Sequence, residues 1–546
     1  MVIHYDTTVS KRRAISSRLG KFQMIFGVST LLVSQQLVRA ADNPLQVMIV
    51  GGGPSPASNQ AAIESNVRYV TKLLPEKRDA TILFADGDKT HATVLFNPEA
   101  SPKSPAEEIL DSFLRPTGRR RGPGGGGPPA APAPAPAPAT AQLTQAQQNG
   151  ATAQVPRSQG NFKVPDLQQL DGPAQKTNVA TAFGHLVEAK PSKQPVFLYF
   201  TGHGSKTKDD LENNYYNLWA GEKLTVQDLS QQVARLPEKE PVVLVMVQCF
   251  SGSFGNILFE GGLPNAPLID RDIVGFYAST KDRVAAGCTP AVNEEYYYDF
   301  TSYFFSALTG RDRLDRKAAP DADFNHDGKV GLDEAFYWSI INDNSIDVPV
   351  STSDVFLERF SPLVGDTWES TPYKSLLEWA STAQKASLNG LSAALEVTGE
   401  DRIAQVKNID FNARTAAINT QIQDVNQRFT ALRDQSRTTY LAAFPKLTSA
   451  DATERTEARQ QALTQITTEI GQQKWQPFQA LVAERNAAQQ KGSGISVIQA
   501  KQLRFLRLAR KIVSDHNLRT SNNSEAKDRY FKLLKSESKT LLPYQK

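Results

Sequence analysis

Five short apolar runs stand out along the chain, at residues 45–50, 80–85, 196–201, 242–247 and 273–278. Each is built mainly from Val, Ile, Leu, Phe and Ala, with almost no polar alternation. A strand covered on one face alternates apolar and polar residues, whereas a strand covered on both faces does not. The runs therefore predict buried strands of a parallel sheet. Residues 59–74, 178–186 and 226–236 lie between them and carry a helical pattern. Strand, helix and strand in series predict an α/β fold: an open, mostly parallel sheet flanked by helices.

Two stretches break this rhythm. Residues 116–160 contain a run of glycines, an Ala-Pro repeat and then Gln, Ala and Thr, a composition too poor in apolar surface to order itself. The strand series resumes afterwards, so the stretch reads as a disordered insertion, with a hinge between two domains as the other reading. From residue 366 strand patterns disappear. Ile418, Ile422, Val425, Phe429 and Leu432 recur at 4-3-4-3 spacing, which lays one apolar seam along a helix, and Leu463, Ile466 and Ile470 continue in kind. The run is too short for a long coiled coil, so a bundle with antiparallel hairpins is expected. Residues 501–519 read as a basic amphipathic helix, its charges a solvated face or, alternatively, a membrane or partner surface.

Charge changes the picture at the N-terminus. Residues 1–40 hold six basic residues against Asp6, so the net charge of +4 over 546 residues belongs to this segment. The rest is nearly neutral, which argues against nucleic-acid binding. Lys11 to Lys21 precede an apolar run at 24–33 and a Val38-Arg39-Ala40 cleavage-like site, the three-part pattern of a secretory signal peptide. Export to the periplasm or the extracellular space is expected, with an uncleaved N-terminal membrane anchor as the alternative. No later run is apolar enough to cross a bilayer, so no membrane span is expected once the signal is removed. The two cysteines, Cys249 and Cys288, exclude a disulfide-rich scaffold and a Cys-rich zinc site, leaving one disulfide or two free thiols.

The third strand ends in Thr201-Gly-His203-Gly204-Ser205 and the fourth in Gln248-Cys249-Phe-Ser-Gly-Ser253. In an open parallel sheet, the carboxyl ends of neighbouring strands converge on one crevice. An imidazole there can take a thiol's proton, and the resulting thiolate attacks a carbonyl. The N–H groups of Gly204 and Cys249 can hold the oxyanion that forms. The Gly51-Gly-Gly53 turn after the first strand lacks the third glycine of a dinucleotide fingerprint.

This pair of motifs resembles the caspase-like cysteine peptidases, a group that includes legumains, caspases, metacaspases, gingipains and clostripain. The likeness is nearest to legumain, in 196–205, in 249–253 and in the stretch around Ala278, Ser279 and Cys288, and it covers roughly 45–310 without the insertion. It implies a caspase-like fold and hydrolysis of a protein or peptide substrate. Cys249 would be the nucleophile, His203 the general acid/base and Gly204 part of the oxyanion hole. Asn59 would match an asparagine that orients the histidine. Legumain's helical C-terminal prodomain implies intramolecular capping by the C-terminal helices. Two residues before the cysteine, legumain has an acid and caspases a glutamine; Val247 stands there and Gln248 follows. Specificity therefore does not carry over. Asp282 reads as an exposed loop carboxylate, with a place in the specificity pocket as the alternative.

Residues 323–334 fit the EF-hand calcium template at every ligand position. Asp323, Asn325 and Asp327 supply side-chain oxygens. Gly328 makes the turn, Lys329 offers its carbonyl, Gly331 holds a water and Glu334 closes with a bidentate carboxylate. An exit helix is expected over 335–341. One such loop alone suggests a structural Ca2+ rather than a switch. The organisation read from sequence is thus a signal peptide at 1–40, the caspase-like domain in two parts at 41–115 and 161–320 around the insertion 116–160, a calcium loop at 321–345 and a helical region at 366–546. The competing expectation is a catalytically inactive, calcium-binding interaction scaffold.

Overall fold

A computed structural model describes residues 44–98, 103–114, 161–189 and 194–545. Residues 1–40, read above as a signal peptide, and 116–160, read as an insertion, lie outside the described residues. The sheet has six strands: β1 (Leu45–Gly52), β2 (Arg78–Phe84), β3 (Val196–Gly202), β4 (Val242–Met246), β5 (Ile273–Tyr277) and β6 (Val350–Ser351), in the order β6-β5-β4-β3-β1-β2. Every pairing is parallel except β5 with β6. β1, β3, β4 and β5 are buried at every position, which is why their sequences do not alternate. All five expected strands are present. β6 is a two-residue antiparallel edge, too short to leave a pattern.

Helices α1 (Ala61–Leu73), α2 (Pro105–Leu114), α3 (Lys176–Glu188) and α4 (Val226–Ala234) fall among the first four strands. α4 starts where Thr225 and Asp228 form a reciprocal capping box, a local signal written in the sequence. Beyond β5 come α5 (Phe300–Thr309), α6 (Leu332–Asn342) and α7 (Thr352–Phe360). Phe276 of β5 packs on Phe304 and Phe336, centroids 5.2 and 5.6 Å away, which seats α5 and α6 against the sheet.

The remainder is helical: α8 (Tyr373–Trp379), α9 (Thr382–Ala394), α10 (Arg402–Lys407), α11 (Phe411–Ala443), α12 (Ala452–Gly471), α13 (Gln476–Thr520) and α14 (Ser524–Glu537). Ile418, Val425 and Phe429 are buried as the seam requires. No described helix is long and apolar enough to cross a membrane.

The change of composition at 366 is not an edge of the core. Phe505, Leu508, Ile512, Leu518 and Tyr530 belong to the same apolar cluster as the sheet. A second cluster joins Phe429, Tyr440, Ile466 and Trp475 to Ile109, Leu110 and Phe113 of α2. The basic run 501–519 is also not simply a solvated face. The Arg504 and Lys511 side chains are only 0% and 3% exposed, and they pair with Asp343 and Asp354.

Candidate functional site

The chain leaves β1 for β2 on one side and returns to β3 on the other, so the crevice beyond the carboxyl ends of β1 and β3 is a topological switch point. Gly52 faces Gly202 at that end, and Val247 donates to the Phe200 carbonyl at 3.0 Å. His203 follows β3 directly, and Cys249 comes just after β4.

Gly204 is what lets these two ends meet. A Cβ on it would lie 2.0 Å from the Cys249 carbonyl oxygen and 2.7 Å from Gln248 Cγ, so only glycine fits. Gly204 also opposes Tyr216 in a small antiparallel ladder. Asn217 N–H donates to the His203 carbonyl at 2.8 Å, which makes the Gly204–Tyr216 pair the non-hydrogen-bonded one. The Gly204 N–H therefore lies outside that ladder, as an oxyanion donor must. After Cys249 the chain turns sharply. Phe250 takes a left-handed φ of 61°, rare for a non-glycine residue, and its N–H donates to the Arg283 carbonyl at 2.8 Å.

His203 is part-buried. Its Nε2 lies 2.8 Å from the Ser58 carbonyl and 3.0 Å from Gln60 Oε1. A carbonyl can only accept, so Nε2 carries the proton and Nδ1 is left as the base. Burial lowers the imidazole pKa, with the Ser58 carbonyl opposing. Asn59 does not touch the ring. It accepts from Gly53 N–H at 3.3 Å and donates to the Thr93 carbonyl at 3.1 Å, pinning the glycine turn. The orienting contacts expected of Asn59 are made instead by its neighbours Ser58 and Gln60. One is a backbone carbonyl, which any residue supplies and no sequence signals.

Cys249 and Cys288 are both free thiols. Cys249 Sγ accepts from Ala285 N–H at 3.2 Å and lies 3.7 Å from the Ala285 carbonyl. Cys288 Sγ lies 3.6 Å from the Gly202 carbonyl. Burial pushes the Cys249 thiol up to about 12, with Cys288 and Asp347 adding to the rise and the Ala285 N–H opposing it. No hydrogen bond joins His203 to Cys249 among the described residues. The resting arrangement is a neutral thiol and a neutral imidazole. Gln248 is 1% exposed, and neither its amide oxygen nor its nitrogen has a hydrogen-bond partner among the described residues. Asp282 is an exposed loop residue that accepts from Thr280 Oγ1 at 2.5 Å.

In loop 323–334, Asp323 accepts from the N–H groups of Asp327 and Gly328, each at 3.0 Å. Asn325 accepts from Asp327 at 2.9 Å, and Asp327 from Lys329 at 2.9 Å. Glu334 reaches back to Asn325 and Gly331 N–H, each at 3.0 Å, and Gly328 turns the chain at a φ of 82°. Burial raises the Glu334 pKa, and Asp323 and Asp327 raise it further. These oxygens are of the kind, order and turn geometry that suit Ca2+. They are engaged with loop amides here, and no group of three or more His, Cys, Asp or Glu forms a ready cation cage among the described residues. The exit helix, α6, begins three residues earlier than the pattern suggested. The preceding helix, α5, ends at Thr309, well before Asp323.

Among the described residues, no hydrogen bond or ion pair joins the C-terminal helices to His203, Gly204 or Cys249. Arg529 and Lys539 pair instead with Asp270 and Asp272, which precede β5 at the opposite end of the sheet. No known family model matches the chain, and no curated protein matches it either.

Proposed function

We propose that this chain is an exported, caspase-like cysteine endopeptidase with a Cys249–His203 dyad. The observation that carries the reading is the convergence of His203, Gly204 and Cys249 at the switch-point end of the sheet, with Gly204 packed on the Cys249 carbonyl. In this mechanism the thiol proton passes to His203 Nδ1 as the sulfur forms a bond to the scissile carbonyl carbon. The N–H groups of Gly204 and Cys249 hold the oxyanion. Collapse breaks the C–N bond, and the imidazolium gives its proton to the departing amine. Water then attacks the thioester, its proton taken by His203 and returned to the sulfur as the carboxylic product leaves. Ser58 and Gln60 keep the imidazole in the tautomer this sequence needs.

Asp323, Asn325, Asp327, the Lys329 carbonyl and Glu334 would hold one Ca2+. The ion would offset the crowded carboxylates and tie the loop to α6.

Hydrolysis of a fluorogenic peptide library, under reducing conditions, tests the reading. Cleavage is expected from the full chain and not from Cys249→Ala. A second reading, a catalytically inactive calcium-binding scaffold, is favoured by one observation: the thiol is part-buried with its pKa pushed up by desolvation, and no hydrogen bond links it to His203. Absence of cleavage with every library member would select it.

A further inference from the structure

We propose that Asp347 is a positioning residue for the Cys249 thiol, clamped from behind by Arg504 of the C-terminal helix α13. This rests on the reading of Cys249 as the nucleophile. The thiol sits on one short loop, where Ala285 N–H reaches Sγ at 3.2 Å. The next amide, Ala286 N–H, donates to Asp347 Oδ1 at 2.6 Å. The other carboxylate oxygen accepts Phe300 N–H at 3.0 Å, at the start of α5. With Cys288 on the Gly202 carbonyl, loop 285–288 is stapled to the thiol, to α5 and to the end of β3.

Asp347 is itself held. It is fully buried, and its backbone carbonyl accepts Arg504 Nε at 2.7 Å. The same guanidinium donates to the carbonyls of Asp343 at 2.6 Å and Ser345 at 3.1 Å, and lies 3.3 Å from the Asp343 carboxylate. Segment 343–347 is wrapped around one arginine from a helix far along the chain. The charged and titratable groups facing Asp347 are Asp343, Asp299, Arg504, Arg283 and the two thiols. Burial and then the neighbouring Asp343 push the Asp347 pKa well above the usual carboxylate range, so the side chain anchors the loop as the acceptor of two amides rather than as a charge facing the thiol. The C-terminal region is then a structural member of the site rather than a detachable cap.

Asp347→Asn in the full-length chain separates positioning from bulk stability. Alkylation of Cys249 by iodoacetamide is followed by peptide mass spectrometry from pH 6 to 10. Loosening the loop that packs on Sγ is expected to raise the rate several-fold throughout this range. Peptide hydrolysis falls about tenfold in kcat with KM little changed, because Asn keeps only one of the two acceptor oxygens that tie the loop to α5. Asp354→Asn, at a buried carboxylate paired with Lys511, is the control. It should lower the melting temperature without moving the Cys249 profile. An Asp347→Asn profile identical to wild type, with melting lowered as in the control, overturns the proposal. Should Asp347→Asn fail to fold, hydrogen exchange of the wild-type amides decides. Ala285 and Ala286 exchanging as slowly as β4 supports the staple, and exchange at loop rates overturns it. The alkylation profile needs no substrate, so a wild type without peptidase activity sinks the dyad reading and leaves the staple separately testable.

Discussion

Gly204→Ala places one methyl group where the ends of β3 and β4 meet. The added carbon would sit 2.0 Å from the Cys249 carbonyl oxygen, 2.7 Å from Gln248 Cγ and 3.0 Å from the Cys249 carbonyl carbon. Carbon and oxygen settle at about 3.3 Å or more, so the two loops must part by roughly 1.3 Å. Two of the three obstacles are backbone atoms and cannot rotate away. Gly204 has no positive φ, so the cost is contact alone. Overpacking of this kind costs about 1–3 kcal/mol. It should appear as a lower urea midpoint at unchanged slope. A displacement of about 1 Å at a reacting group also costs on the order of 10²-fold in rate. Peptide hydrolysis should therefore fall far more than the loss of stability explains. Gly494→Ala is the matched control: it lies within α13 with nothing within 4 Å, and should stabilise by about 1 kcal/mol through helix propensity. A Gly204→Ala protein with wild-type urea midpoint and wild-type hydrolysis would refute the close approach of the two strand ends.

Five further outcomes are expected. Because burial moves the thiol from 9.0 to about 12, alkylation of native Cys249 should keep rising past pH 9, and a plateau near neutrality would contradict the neutral resting pair. The lowered His203 pKa works in the other direction. Its contribution to stability is complete above 6.5 and is lost as pH falls towards the depressed folded value, so the wild-type urea midpoint should drop on acidification below 6.5 more than that of His203→Gln. Calcium chloride should raise the melting temperature of wild type, and Asp323→Asn and Glu334→Gln should each abolish the shift; equal shifts in all three would remove the loop as the calcium site. Arg504→Met leaves Asp343 buried without its counter-charge and should cost about 3–5 kcal/mol in urea unfolding. For the same reason, a chain ending at 365 should be protease-sensitive and lack a cooperative transition.

How much of this was readable depended on the kind of signal. The apolar runs announced β1 to β5 because a strand buried on both faces needs no partner information to look apolar throughout. β6 was silent because two residues carry no period. His203, Gly204 and Cys249 were legible as motif residues at strand ends. The partners that orient them were not. Ser58 acts through its backbone carbonyl, and the neighbouring Asn59 turns its amide to Gly53 and Thr93. Arg504 illustrates the limit most clearly. Its helix showed charge and amphipathicity, yet nothing in the run 501–519 reveals that Asp343, Ser345 and Asp347 lie against it.

The sequence by itself determined what local physical chemistry can write: which segments are apolar throughout, where helices begin, and where a thiol, an imidazole or a run of carboxylates falls at a strand end or a turn. Those properties depend on a residue and its near neighbours. Tertiary structure alone decided which distant groups touch: Gly204 against the Cys249 carbonyl, Asp347 under the cysteine loop, and the tail helix within the core of the sheet. Such contacts follow from chain topology and from the pairing of buried charges. Neither leaves a period or a spacing for the linear chain to show.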